Sequence, residues 1–266
     1  MYLPSNLYNT DYVWRMALAD CLEFGTKTAP RGQETRELWH NTVQINMESP
    51  VVCTPERALS YQFMAAEAYW ILTGDNTVAG IAPWNKNISQ FSDDGQVFYG
   101  AYGPKFIAQL PDLLRKLEAD PDSRQAGFTL WRENPPATKD VPCTIAGFAH
   151  IRHGELNLHV FMRSSDLWLG LPYDIFNFSC MGYMICAMLN RLDDKLVCPG
   201  RVFVTAASSH LYEPSFEKAT RCASDTAYRP CGRVPCSWWM DENRLLDDLK
   251  NLRDSKKGDP RRWWEV

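Results

Sequence analysis

The sequence predicts an α+β fold in one domain spanning residues 1–266. Two patterns carry this reading. Segments with helical periodicity and segments with alternating polarity are both present, and they interleave without a regular strand–helix–strand rhythm. Such a pattern predicts a sheet covered by helices on one side, with its other face left free.

The elements follow in order. Tyr12 to Glu23 places Val13, Met16, Ala17 and Leu22 on one side of a helix. Ala58 to Leu72 is a longer apolar-rich helix that stops at Thr73-Gly74-Asp75, where glycine suits a helix end. Pro111 to Glu118 carries Leu113, Leu114 and Leu117 at helical spacing, with proline near the first turn. Ile175 to Leu192 is apolar nearly all round and is expected to be buried. Strands are expected at Ala126 to Trp131, Ile145 to Ile151, Leu156 to Met162 and Arg201 to Thr205. His153-Gly154-Glu155 reads as a hairpin turn between the second and third of these. On the third, Leu156, Leu158, Val160 and Met162 share a face, with Asn157 and His159 opposite. The stretches Ile81 to Lys105 and Arg132 to Pro142 read as loops, and no repeat or linker marks a domain boundary.

Composition narrows the function. A 45% apolar and 23% charged chain is ordinary for a globular protein. A net charge of −4 argues against direct binding of nucleic acid, while leaving room for a small cationic pocket that takes one phosphate. No apolar run is long enough for a membrane span, and Met1-Tyr2-Leu3-Pro4 lacks the features of a secretory signal. The nine scattered cysteines then read as reduced thiols, and a cytoplasmic location is expected. Cys222, Cys231 and Cys236 lack zinc-site spacing, so no metal is expected.

Few residues point to chemistry one at a time. Cys143 stands behind Pro142 at a loop-to-strand junction, which suits a presented thiol as well as a small buried one. Arg163-Ser164-Ser165-Asp166 closes a strand as either an anion cradle or a surface turn with a local ion pair. Asp174 opens the buried helix, where an N-cap is the common role. His210 and Tyr212 follow a strand in what reads equally well as a polar turn.

Taken together, these segments resemble the thymidylate synthase superfamily from about Ala17 to Tyr212. The matching pieces are Arg31; Glu67 to Asp75; Trp84; Tyr99-Gly100; Asp120-Pro121-Asp122-Ser123-Arg124; Pro142-Cys143; Arg163 to Asp166; Leu169-Gly170-Leu171-Pro172-Tyr173-Asp174; and Ser209-His210-Leu211-Tyr212. The resemblance implies a mixed sheet and a homodimer packed sheet to sheet. It makes Cys143 the nucleophile, and Arg31, Arg163 and Ser164 the phosphate site, with Arg124 reaching into the partner's site. It assigns His210 and Tyr212 to the deoxyribose hydroxyl and Glu67 to active-site water. Trp84, Asp166 and Gly170 fall to the folate, 5,10-methylenetetrahydrofolate, as cosubstrate. A thiolate at Cys143 adds to C6 of a pyrimidine, C5 captures the one-carbon unit, and hydride or water completes a methyl or a hydroxymethyl group. Arginines near Cys143 are expected to lower its pKa.

Departures from the synthase pattern point to the substrate. Asp174 stands where synthases acting on dUMP have Asn, Thr144 where they have His, and Met162 where they have Gln. A carboxyl that shares its proton with N3 and accepts from the 4-amino group answers cytosine. In these features the chain is similar to the phage deoxycytidylate hydroxymethylases of the superfamily, and dCMP to 5-hydroxymethyl-dCMP is the expected reaction. Turnover of dUMP, by hydroxymethylation or methylation, and methylation of dCMP are the alternatives. Gln125 replaces the second arginine of the cross-dimer pair, and Trp263-Trp264-Glu265-Val266 keeps only the synthases' terminal valine.

Overall fold

A computed structural model describes residues 9–192, 196–227, 229 and 231–256; the tail Trp263 to Val266 lies outside them. Helix α1 (Thr10–Phe24) starts at Asn9, whose side chain accepts from the Tyr12 N–H at 2.9 Å. Strands β1 (Thr26–Thr28) and β2 (Thr35–Asn46) follow. Helix α2 (Tyr61–Leu72) is capped by Ser60 and starts three residues inside the expected Ala58. Its end is the one expected at Gly74, where φ is +72°. There the Asp75 and Gly74 N–H groups donate to the Trp70 and Ile71 carbonyls at 3.0 and 3.1 Å.

After a short α3 (Val78–Ile81), helix α4 covers Tyr102–Ala119, so both its start and the expected loop end move. The first-turn proline is Pro104, whereas Pro111 lies mid-helix on the exposed side. There its ring projects outward while Phe106, Leu110, Leu113, Leu114 and Leu117 are buried.

The sheet continues through β3 (Gly127–Thr129), β4 (Thr144–Arg152), β5 (Glu155–Met162), β6 (Ser165–Asp166) and β7 (Cys198–Tyr212). Its order is β1-β2-β7-β5-β4-β3, with β6 also paired to β7. The β5–β7 and β6–β7 pairs are parallel and the others antiparallel, so the sheet is mixed. The expected strand at Arg201 to Thr205 is the centre of a much longer β7, and His210 and Tyr212 sit on it rather than in a turn. β2 escapes the sequence reading because Thr35 to Asn41 is mostly polar and its strand character comes from pairing with the distant β7. Helix α5 (Leu171–Leu192) backs the sheet, followed by α6 (Phe216–Ser224), α7 (Ser237–Met240) and α8 (Glu242–Arg253).

Leu156, Leu158, Val160 and Met162 do share the inner face, with Val202 and Val204 of β7, all buried beneath α5. Each such side chain contributes about 1.5–3 kcal/mol through burial. The other sheet face carries Ile145, Phe148 and Phe161, with Trp39 72% exposed, and His159 stacked on Phe203 at 4.3 Å.

The His153-Gly154 turn joins β4 to β5, with φ of +55° and +76° and Arg152 paired to Glu155. Positive φ at both positions gives the twist that a two-residue hairpin needs. Deeper in the hairpin, Gly147 faces Phe128 so closely that an added Cβ falls 2.4 Å from its ring. Gly147→Ala is therefore expected to cost about 1–3 kcal/mol by overpacking. A urea melt whose midpoint matches the parent would contradict this packing account.

Candidate active site

The hairpin brings the thiol and a guanidinium together. Both arms run to the same end, and a register shift between Thr144 and Ala146 absorbs the extra residue on the Cys143 arm. The Arg163 N–H donates to the Cys143 carbonyl at 2.8 Å. The guanidinium then folds back, its Nε donating to the Pro142 carbonyl and Nη2 to the Val141 carbonyl, both at 3.0 Å. Arg163 Nη2 and Ser164 Oγ reach the Cys143 sulfur at 3.6 and 3.7 Å.

Parallel pairing of β6 with β7 sets Asp166 beside His210. The His210 and Tyr212 rings meet edge to face at 5.1 Å. Antiparallel pairing aligns Tyr212 with Thr35, so the loop ahead of β2 delivers Arg31, whose Nη2 donates to the Tyr212 hydroxyl at 3.2 Å. Cys143, Arg31, Arg163, Ser164, Asp166, His210 and Tyr212 thus line one cavity of about 1200 Å³. Two guanidinium groups and the Ser164 hydroxyl in one cavity are groups suited to binding an anion.

Burial acts strongly on the acids here. Asp166 Oδ1 accepts from the Trp168 and Leu169 N–H groups at 2.8 Å, yet burial holds its pKa above the usual carboxylate range. Asp174 is raised well above that range by burial, reinforced by the charges of Glu67 and Asp166. Among the described residues neither of its carboxyl oxygens has a hydrogen-bond partner. α5 begins at Leu171, so Asp174 lies in its first turn and is not the N-cap; its N–H donates to the Gly170 carbonyl at 3.0 Å. Gly170 lies below, where an added Cβ would stand 3.4 Å from Asp174 Oδ2. Glu67 on α2 accepts from Asn177 Nδ2 at 2.8 Å, and burial pushes it up to about 7.

The expectation for the thiol is corrected. Arg163 and Ser164 do favour the Cys143 thiolate, but burial outweighs them and the pKa is raised. Of the expected site residues, Glu67, Trp84, Arg124, Gly170 and Asp174 are not among those that line this cavity. Arg124 is exposed on the loop after α4, and the Trp84 indole donates to the Arg253 carbonyl at 3.2 Å, with the Arg253 guanidinium 4.8 Å from its ring. Tyr99 lines a separate cavity with Lys105 and Arg132.

Two residues at the site escape the sequence reading. The Tyr102 hydroxyl lies 3.2 Å from the Thr144 N–H and 3.0 Å from its hydroxyl, within electrostatic reach of Cys143 and Asp174. Its signal, a tyrosine opening an amphipathic helix, is hidden once that helix is started at Pro111. Asn177 is the other; a lone amide among apolar neighbours in a buried helix is signal enough. Among the described residues no group of three or more His, Cys, Asp or Glu stands placed to hold a metal, and no helix is long and apolar enough to cross a membrane.

Residues 12–248 match the thymidylate synthase family model, a span that reaches past Tyr212 into α8. A relative in Bacillus phage SP01, a deoxyuridylate hydroxymethyltransferase, is 34% identical over 177 residues, covering 58% of this chain and 45% of that protein. The match thus spans less than half the length of that relative. With the family model covering most of the chain and the mixed sheet in place, the chain belongs to the thymidylate synthase family.

Proposed function

We propose that the chain catalyses folate-dependent C5 hydroxymethylation of a pyrimidine deoxynucleoside monophosphate, with dCMP as substrate. The observation that carries the choice of base is Asp174, in the first turn of α5: burial and the charges of Glu67 and Asp166 push its pKa well above the usual carboxylate range, and among the described residues its carboxyl has no hydrogen-bond partner. A neutral acid can place its proton on cytosine N3 while its other oxygen accepts from the 4-amino group. Passing the proton across makes this a charge-assisted pair. Uracil N3 already carries a hydrogen and cannot take the proton.

The other residues divide the work. Arg31, Arg163 and Ser164 hold the phosphate, and His210 with Tyr212 holds the sugar hydroxyl. Cys143 forms the bond to C6, which makes C5 nucleophilic. Folate fits the residues present: about 1200 Å³ exceeds the 300–1,000 Å³ typical of a pocket for one ligand. Phe91 and Leu169, both exposed in the cavity, give it an apolar wall, and Asp166 a polar end. When bound, it supplies the one-carbon unit that C5 captures. Gly170 and Trp84, which do not line the cavity, keep a folate-side role on the resemblance alone. Glu67 serves as the base for water, and a pKa of about 7 suits that task. The reading includes a homodimer through the apolar sheet face of Trp39, Phe148 and Phe161, with exposed Arg124 reaching the partner's phosphate cradle.

A second reading, hydroxymethylation of dUMP, draws on the named activity of the phage relative and on the fact that a neutral carboxyl also pairs with uracil. Mass spectrometry of products from equimolar dCMP and dUMP with labelled methylenetetrahydrofolate decides between them. The expected product is 5-hydroxymethyl-dCMP; preferential consumption of dUMP rejects the dCMP assignment, and a methyl product rejects hydroxymethylation.

A further inference from the structure

Asn177 stands three residues beyond Asp174 on α5, hence on the same side of the helix. Its neighbours Ile175, Phe176, Phe178 and Cys180 are fully buried, and Asn177 itself is 4% exposed. An amide in such company must be hydrogen-bonded or bear its full desolvation penalty. Half of it is satisfied, since Nδ2 donates to Glu67 Oε2 at 2.8 Å. The other half is not: Oδ1 is enclosed and has no partner among the described residues. A buried carbonyl beside a carboxyl is a seat for one polar hydrogen.

We infer that Asn177 is a positioning residue for formation of the hydroxymethyl group: its N–H clamps one carboxyl oxygen of Glu67, and its carbonyl seats the water that Glu67 deprotonates. The inference rests on the reading of the site as a hydroxymethylase. In that step the water oxygen bonds to the exocyclic methylene carbon on C5, and its proton passes to Glu67. The π pair of the methylene group moves into the ring, and the ring expels the Cys143 sulfur as the C5–C6 double bond reforms.

The groups around Glu67 come from several elements. α5 brings Asn177 and Asp174, and Asp166 lies beyond Asp174. Tyr102 of α4 stands beside Asp174 and Cys143. From α8, Arg253 lies over the Tyr69 and Trp84 rings. Of these, the Asn177 N–H is the group that opposes the upward push of burial on Glu67. Its loss therefore raises the pKa of the base, and the carboxylate form is reached only at higher pH.

The test begins with the parent protein and both nucleotides. No hydroxymethyl product from either defeats the functional reading, whatever Asn177 does. On the nucleotide that turns over, pH profiles of kcat are compared for the parent and Asn177→Ala, with Glu67→Gln identifying the limb that belongs to the base. The expected result is a fall in kcat of roughly tenfold or more near neutral pH. The midpoint should move up by about one unit, with KM for the nucleotide within about twofold. A midpoint that stays in place, or a loss confined to KM, overturns the inference. Should Asn177→Ala fail to fold, Asn177→Leu, close in size and with neither donor nor acceptor, carries the same expectation and the same refutation.

Discussion

Cys143→Ala is expected to lower turnover by at least about four orders of magnitude while leaving nucleotide affinity nearly intact. Removing a nucleophile that acts together with its base commonly costs that much or more. The phosphate and sugar contacts assigned to Arg31, Arg163, His210 and Tyr212 do not involve the sulfur, so binding survives. The parent should also show a pH signature. The reactive species is the thiolate, and burial raises the thiol's pKa despite Arg163. At neutral pH the resting group is therefore the thiol, and kcat/KM of the free enzyme should climb with pH into the alkaline range. Single-turnover rates, with the intact mass of the quenched protein as a probe for the sulfur adduct, check both points. Full activity in Cys143→Ala would remove this residue from the chemistry.

Asp174→Asn is expected to reverse the choice of base, lowering the dCMP-to-dUMP ratio of kcat/KM by on the order of 10⁴, the scale on which buried polar sites reject a mismatched edge. An amide cannot hand a proton to cytosine N3, so the charge-assisted pair is lost. It still presents one donor and one acceptor, which uracil O4 and N3–H satisfy. The raised pKa of Asp174 matters to the sign: burial favours the protonated carboxyl, the form that carries the proton to be shared. Competition assays on the variant read the ratio directly. An unchanged ratio would mean that position 174 does not read the base.

The parts of the fold that were legible in the sequence share a physical property, a single strong period. Leu156 to Met162 alternates cleanly and β5 is where it was expected. Gly74 ends α2 for the backbone reason that glycine signals. β2 was invisible because its first half is mostly polar and its pairing with β7 is a long-range fact, Thr35 opposite Tyr212. The same distance hid the strand character of His210, whose neighbours in sequence look like a turn. At the site, Cys143, Arg163 and Asp166 were legible as motifs, and the fold brings them together. The thiol's pKa was not legible, because it depends on how deeply the loop and two strands enclose the sulfur, and burial there exceeds the arginine's pull. Asn177 and Tyr102 escape for a simpler reason: neither residue type marks chemistry by itself, and the role of each comes from what packs opposite, Glu67 for the amide and Thr144 for the hydroxyl.

The tight turn at His153-Gly154 has a reach beyond its own size. Each arm of its hairpin runs eight or nine residues, so at about 3.3 Å per residue the turn sits roughly 27 Å from the sulfur. From the turn to the register shift at Ala146, pairing is carried unbroken, and a slip of one position at the turn would send every paired side chain on that arm to the opposite side of the sheet. The thiol would then face away from the guanidinium with nothing altered in the cavity itself. The placing of the thiol is in this sense governed from the far rim of the sheet, where two left-handed residues keep the count.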